Sequence, residues 1–311
     1  VSVFKEGTNV WTQPGPAKAY YDRVCQLPQL RDVLIAKIRD SWGNPAHSGL
    51  ELFPEVSREE TTLRGLDGND VSVTRFTPPN VGTGTWVYLH GGAWISPISG
   101  KHLAWAKRMA ALTRWTVIAV NYRLGPEDPF PAALHDVIGV VQHCQKNGSG
   151  PVVVGGDSAG GNLGPAAAFY AADHDLQAPE AVLALCPATN MVYEEVPGFV
   201  ESAWNHPIQD LTLFGFGRSC YVPRIEDWRH PYVSPVYGDL SRLPPLMVVI
   251  GEQDAMCEDN RIFVDRARAA GAHVEDHVYA AMPHSFFMQD ELIPEASAQA
   301  NADIAAFLAR L

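Results

Sequence analysis

Short runs of β-branched and aliphatic residues alternate along the chain with stretches in which apolar positions recur every three or four residues. The runs predict strands at Val71–Phe76, Thr85–Leu89, Thr116–Val120, Val152–Gly155, Ala181–Cys186, Leu246–Gly251 and His273–Tyr279. From Val117 to Val120, and again from Leu246 to Ile250, every position is apolar, so both faces of these strands must be covered. Helical spacing runs through Leu134, Val137, Ile138, Val141 and Cys144, and through Ile304, Phe307, Leu308 and Leu311 at the C-terminus. This alternation predicts an α/β fold with a mostly parallel central sheet flanked by helices. Two regions interrupt it: residues 1 to about 50, and about 188 to 230, the second rich in Trp, Phe, Tyr and Pro. Both are too long for simple loops and are expected to be helical pieces packed as a lid over one end of the sheet.

Composition narrows the function. The 311 residues, 46% of them hydrophobic, exclude a disordered chain and allow one domain with an accessory region, or two. A net charge of −12 with no run of Lys and Arg makes nucleic acid a poor partner. No apolar stretch approaches the about 18 residues of a membrane span. Val1–Val10 has no basic segment leading into an apolar one, which points to a cytoplasmic protein, although a start at Val1 is also what a trimmed signal peptide would leave. Cys25, Cys144, Cys186, Cys220 and Cys257 form no C-x-x-C pair and read as reduced, mostly buried thiols.

The strongest local signal is Gly156-Asp157-Ser158-Ala159-Gly160, a G-x-S-x-G between a predicted strand and an Ala-rich helix. Two glycines permit a tight strand-to-helix turn that lifts the Ser158 hydroxyl above the sheet edge, where a nucleophile is needed, and the Ala159 amide at the helix start can face an oxyanion. The competing reading, a glycine-rich phosphate loop, lacks the Lys of a P-loop and the spacing of a dinucleotide fingerprint. A second signal, His90-Gly91-Gly92-Ala93-Trp94, follows the strand Thr85–Leu89. Gly91 and Gly92 are candidate oxyanion-hole donors, and His90 reads as a scaffold residue that fixes the loop.

With Asn121-Tyr122-Arg123-Leu124-Gly125-Pro126-Glu127, Pro129-Phe130-Pro131-Ala132-Ala133, Ser234-Pro235, Leu243-Pro244-Pro245 and Gly251-Glu252-Gln253-Asp254, these motifs stand in one order from about residue 85 to 290. In them the chain resembles the hormone-sensitive-lipase-like α/β hydrolases, the bacterial family IV esterases. The resemblance implies an α/β-hydrolase fold with a helical cap: an N-terminal cap segment at 1–50, the core at 51–187 and 231–311, and a cap insertion at 188–230. Three departures touch loop geometry and substrate preference: His230 where Asp is usual, Ser285 where Gly is common, and Ala-Met-Cys after Asp254.

In that fold the acid and the base follow the serine in the chain. Asp254, in the loop after Leu246–Gly251, is the expected acid; Glu252 and Asp259 compete less well. His284 falls where the family's histidine does. His273 and His277 could suggest a metal pair but read better as part of a strand, and no H-E-x-x-H is present. Trp94, Trp204, Phe214, Phe286 and Phe287 are candidate walls of an apolar pocket or simple lid packing, and His206 and His230 lie in the lid region, as solvent-facing or substrate-lining groups. The resemblance implies a carboxylesterase acting on a small-molecule acyl substrate through an acyl-enzyme, with short to medium chains preferred and with no metal or organic cofactor. An amide, formamide or thioester substrate stays open, as do a lyase or cyclase and a ligand receptor on the same scaffold. Relatives often form homodimers through the sheet edge and last helix, but Ile304, Phe307 and Leu311 are equally explained as core.

Overall fold

A computed structural model describes residues 30–42, 49–204, 206–207 and 209–311. In chain order the main elements are α1 (Leu30–Trp42), β1 (Ser57–Arg64), β2 (Asp70–Thr77), β3 (Thr85–Leu89), α2 (Gly100–Thr113), β4 (Thr116–Asn121), α3 (Ala132–Asn147) and β5 (Val152–Asp157). They continue with α4 (Ala159–Asp173), β6 (Ala181–Leu185), α5 (Phe199–Trp204), α6 (Leu211–Tyr221), β7 (Leu246–Gly251), α7 (Cys257–Ala269), β8 (Val274–Tyr279) and α8 (Pro294–Leu308). All seven predicted strands form. The one the pattern does not predict is β1, whose Ser-Arg-Glu-Glu-Thr-Thr-Leu-Arg sequence is exposed nearly throughout, with only Leu63 buried. It lies at an edge of the sheet, where charged residues guard an unpaired strand and no apolar alternation is required.

The sheet order is β1-β2-β4-β3-β5-β6-β7-β8. β2 runs antiparallel to β1 and β4; every other pairing is parallel. Successive side chains of a strand point to opposite faces, and the core divides accordingly. Val87 and Leu89 join Leu134, Val137, Leu163 and Phe263 beneath α3, α4 and α7, whereas Trp86 and Tyr88 join Trp105, Met109, Ile304 and Phe307 beneath α2 and α8. The predicted apolar stripe of α3, and Ile304, Phe307 and Leu308 of α8, are therefore the faces that cover the sheet; Leu311, expected in the same stripe, lies beyond the end of α8 and is exposed, because the helix stops at Leu308.

This layering brings the carboxyl ends of β3, β5, β7 and β8 to one edge, where the connecting loops are free to carry chemistry. Residues of the 188–230 region reach that edge through short helical turns, α5 and α6. From the N-terminal segment, α1 docks beside α6: Ile35 is buried with Ile95 and Cys220, and Ile38, Ala93 and Phe216 pack around them. Arg39 pins α1 to the core, donating to Ile95 O (2.8 Å), Gly125 O (3.2 Å) and both carboxylate oxygens of Glu127 (2.9 and 2.8 Å). The remainder of the predicted N-terminal lid, residues 1–29 and 43–48, lies outside the described residues, as does Cys25. Among the described residues no helix is long and apolar enough to cross a membrane.

Candidate active site

Ser158 stands between β5 and α4 with φ 55° and ψ −115°, a conformation that non-glycine residues adopt only under strain. The flanking glycines make the turn fit. A Cβ on Gly156 would meet Leu89 O at 1.8 Å, and one on Gly160 would meet the same atom at 1.9 Å. Serine is a favoured N-cap, yet the Ser158 hydroxyl makes no capping hydrogen bond; the backbone holds the turn through Ser158 N–H to Leu185 O (2.9 Å). The hydroxyl is left for another use.

Asp254 and His284 meet across the ends of β7 and β8. His284 Nδ1 lies 2.6 Å from Asp254 Oδ2, while Asp254 Oδ1 accepts from the Met256 amide (2.9 Å) and from Gln209 Nε2 (2.9 Å). Burial disfavours both charged forms, but the mutual attraction outweighs it. Asp254 is held below the usual carboxylate range, and His284 is raised well above the usual histidine value. Neither competing acid faces this histidine: Glu252 is exposed and accepts from the Ala281 amide (3.1 Å), and Asp259 binds Thr189 N (2.8 Å) and Oγ1 (2.7 Å). Buried Asp259 is itself pushed up to about 7, chiefly by desolvation.

Cys186, at the end of β6, hydrogen-bonds to His284 and forms with Asp254 and His284 the one grouping among the described residues that could suggest a metal centre. The donor set does not fit one. Burial pushes the Cys186 thiol up and keeps it protonated, whereas zinc takes the thiolate. The Nδ1–Oδ2 distance of 2.6 Å is also that of a hydrogen bond; two tetrahedral ligands about 2 Å from a metal stand about 3.3 Å apart. His277, on β8, pairs with Glu275 of the same strand (3.0 Å) and with Asp303 of α8 (3.4 Å), in keeping with the strand reading.

The loop after β3 lies against the serine. A Cβ on Gly91 would stand 2.3 Å from Asp157 Oδ2 and 3.2 Å from Ser158 Cβ. Gly92 (φ +123°), Ala93 (φ 52°) and Trp94 (φ 59°) continue the loop in left-handed conformations. Ala159 opens α4 directly after Ser158. Buried His90 is stacked on Tyr122 (4.3 Å, 7°), with Nδ1 at 2.6 Å from Gly91 O. Burial, reinforced by neighbouring His102, lowers its pKa to about 3; the neutral ring therefore donates to Gly91 O and braces the loop. Asp157 is fully buried, accepting from Tyr88 OH (2.7 Å) with His102 Nε2 at 3.6 Å; burial opposes its ionisation, but His102 keeps it below the usual carboxylate range.

Ser158 and His284 line one cavity of about 700 Å³, whose walls are mostly apolar. Gly92, Trp94, Phe214, Tyr193, Leu213 and Met256 contribute, as do Met288, Leu292 and Ile293. Trp94 stacks on Tyr221 of α6 (4.6 Å, 3°), joining the loop after β3 to the 188–230 region. Of the expected wall residues, Trp94 and Phe214 are in place. Trp204 is not: it is 68% exposed and outside the lining. Phe286 and Phe287 are not lining residues either. Ser285 turns the chain with φ 50° and drives both rings into the core under α2 and α8, fully buried, with Phe287 against Trp105 (5.3 Å). His206 lines the cavity, whereas His230 packs between Phe130 (5.6 Å) and Tyr232 (4.7 Å).

A family model described as the alpha/beta hydrolase fold matches residues 86–288, which contain Gly91, Gly92, Ser158, Asp254 and His284. The chain belongs to the hormone-sensitive-lipase-like α/β hydrolases. It is 32% identical over 270 residues to the carboxylesterase NlhH of Mycobacterium tuberculosis, covering 82% of this chain and 83% of that one. It is also 32% identical over 215 residues to an acetyl-hydrolase of Streptomyces hygroscopicus, with 68% and 71% covered. Among solved structures, a hyperthermophilic esterase from the archaeon Pyrobaculum calidifontis superposes with a TM-score of 0.81 at 26% identity, covering 94% of this chain and 96% of that one.

In this α/β hydrolase two site residues have no signature in the sequence. Gln209 reaches Asp254 from a position 45 residues earlier in the chain, and Cys186 comes beneath His284 from the end of a neighbouring strand. Both meetings are made by the tertiary fold, and neither residue stands in a motif. The only signal available was the adjacency of β6 and β7 implied by a parallel sheet, which puts the end of one beside the loop of the other.

Proposed function

We propose that the protein is a carboxylesterase that cleaves small to medium acyl esters by two-step acyl transfer, with Ser158 as nucleophile, His284 as general base and Asp254 as orienting acid. The observation that carries this reading is the 2.6 Å His284–Asp254 contact at the wall of the same cavity that holds the strained Ser158. Neutral His284 takes the Ser158 proton as the hydroxyl attacks the ester carbonyl. The amides of Gly91, Gly92 and Ala159 face the developing oxyanion, aided by the positive end of α4. His284 then gives the proton to the departing alcohol, and water repeats the cycle on the acyl-enzyme. Asp254 fixes the tautomer of the imidazole and stabilises its cation. Residues 1–50 and 188–230 act as the cap, which walls the acyl and alcohol sites through Tyr193, Leu213 and Phe214.

A fluorophosphonate probe tests the assignment. Wild-type protein is expected to be labelled stoichiometrically and to hydrolyse p-nitrophenyl butyrate, with both properties lost in Ser158→Ala. Ester hydrolysis that survives in Ser158→Ala would overturn the proposal.

A further inference from the structure

We propose that Gln209, a residue of the 188–230 segment, is a positioning residue for the reaction: its side-chain amide orients the Asp254 carboxylate against His284 and so makes the cap part of the catalytic triad's support. The inference rests on the esterase reading given above and concerns the same site.

Asp254 is buried, and a buried carboxylate needs its lone pairs occupied. Oδ2 is given to His284, leaving Oδ1 with two donors, Met256 N and Gln209 Nε2, each at 2.9 Å. The Met256 donor is local and comes with the loop itself. The Gln209 donor comes from another region of the chain and sets the rotation of the carboxylate. Its geometry is doubly fixed, because Gln209 Oε1 accepts from Ala255 N (3.3 Å), so the amide bridges the acid and the residue after it. The backbone is held too: Gln209 N donates to His206 Nδ1 (2.9 Å), and the next residue, Asp210, caps α6 by accepting from Leu213 N (2.8 Å). Gln209 is 3% exposed, yet it lines the cavity beside Leu213 and Phe214. One side chain thus touches both the space where substrate sits and the acid that orients the base. The titratable groups facing Asp254 are His284, Cys186, Asp259 and Cys257; Gln209 is a neutral partner among them.

The test compares wild type, Gln209→Met, Gln209→Glu and Ser158→Ala on p-nitrophenyl butyrate and on a fluorophosphonate. Methionine keeps the length and volume and removes the donor. Gln209→Met is expected to lower kcat about tenfold, the scale of one hydrogen bond to a charged group, with KM within about twofold. The rate of fluorophosphonate labelling should fall in parallel. With the donor gone, the carboxylate concentrates its charge on the imidazolium, so the acid limb of kcat/KM should move to higher pH, a readout that loss of packing alone leaves in place. Gln209→Glu, which sets a second carboxylate beside Asp254, should lose more activity and move the limb further up. If Gln209→Met does not fold, Gln209→Asn, which withdraws the amide by one methylene, carries the same expectations. Wild-type kcat, labelling rate and pH limb in a folded Met or Asn variant would overturn the proposal, as would a change confined to KM. Activity surviving in Ser158→Ala would instead overturn the triad reading, and the role of Gln209 with it.

Discussion

Buried Asp254 and half-buried His284 hold each other in their charged forms, and this sets stability and activity in different pH ranges. The depressed Asp254 contributes stability that is present above about pH 3.9 and lost as pH falls through its lower folded value. The raised His284 contributes stability that is fully present below about pH 6.5 and lost as pH rises through its higher folded value. A general base must be neutral, so turnover should climb only as pH passes through that raised value. Asp254→Asn removes the anion: thermal unfolding followed against pH should lose both arms, and the acid limb of the residual activity should move to lower pH. On the serine-protease precedent kcat should drop by ~10⁴; an unmoved limb would count against the assignment. The turn carrying Ser158 was legible because a G-x-S-x-G follows a predicted strand, and Asp254 stood out by its place in the loop after another, whereas His284 was singled out only by the family resemblance. Gln209 was not legible, since nothing near it in sequence announces a partner 45 residues away. Phe286 and Phe287 misled for the opposite reason: closeness to His284 along the chain says nothing about direction once Ser285 adopts φ 50°.

Elements that bury an apolar face on both sides were readable from period and composition, which is why β3 to β7, the α3 stripe and the α8 stripe as far as Leu308 appear where expected. The edge strand β1 pays no such burial requirement, so its sequence carries no strand signal beyond pairing with β2. The β5–α4 turn is the most demanding junction, and its demand is steric. A Cβ on Gly160 would sit 1.9 Å from Leu89 O, a backbone atom that cannot rotate away, so β3 or α4 must shift. Gly160→Ala is therefore expected to destabilise the protein by about 2–3 kcal/mol or more and to abolish esterase activity by displacing Ser158. Gly215, within α6, is the matched control: a Cβ there meets nothing within 4 Å, and Gly215→Ala should be neutral or stabilising by up to about 1 kcal/mol. Denaturant unfolding of both variants checks the contrast. Equal losses would mean that helix backbone, not the crowding at Leu89, governs the turn.

At the scale of the whole molecule, the 188–230 interruption in the β–α rhythm supplies one wall of the cavity, through Tyr193, Leu213 and Phe214. α6 reaches the loop after β3 through the Trp94–Tyr221 stack, and α1 is tied to the same loop by Arg39 and Ile35. Sequence marked these regions as departures from the sheet pattern and singled out Phe214, but not Tyr193, Leu213 or Gln209, because a wall residue is chosen by the surface it must meet. The outcome is a mostly apolar space of about 700 Å³, within the usual range for a small-molecule site. Chain length is then a direct probe of the enclosure. Each methylene that enters the cavity gains about 0.8 kcal/mol, equivalent to about fourfold in kcat/KM. Across p-nitrophenyl esters of increasing acyl length, kcat/KM should climb by at most that factor per methylene, level off at short to medium chains once Phe214 and its neighbours are covered, and fall for long ones. The −12 net charge works in the same direction, since it gives no attraction to an anionic lipid surface. Faster turnover of long-chain emulsions than of soluble short esters would overturn the short-to-medium preference and point to a lipid-binding surface beyond this cavity.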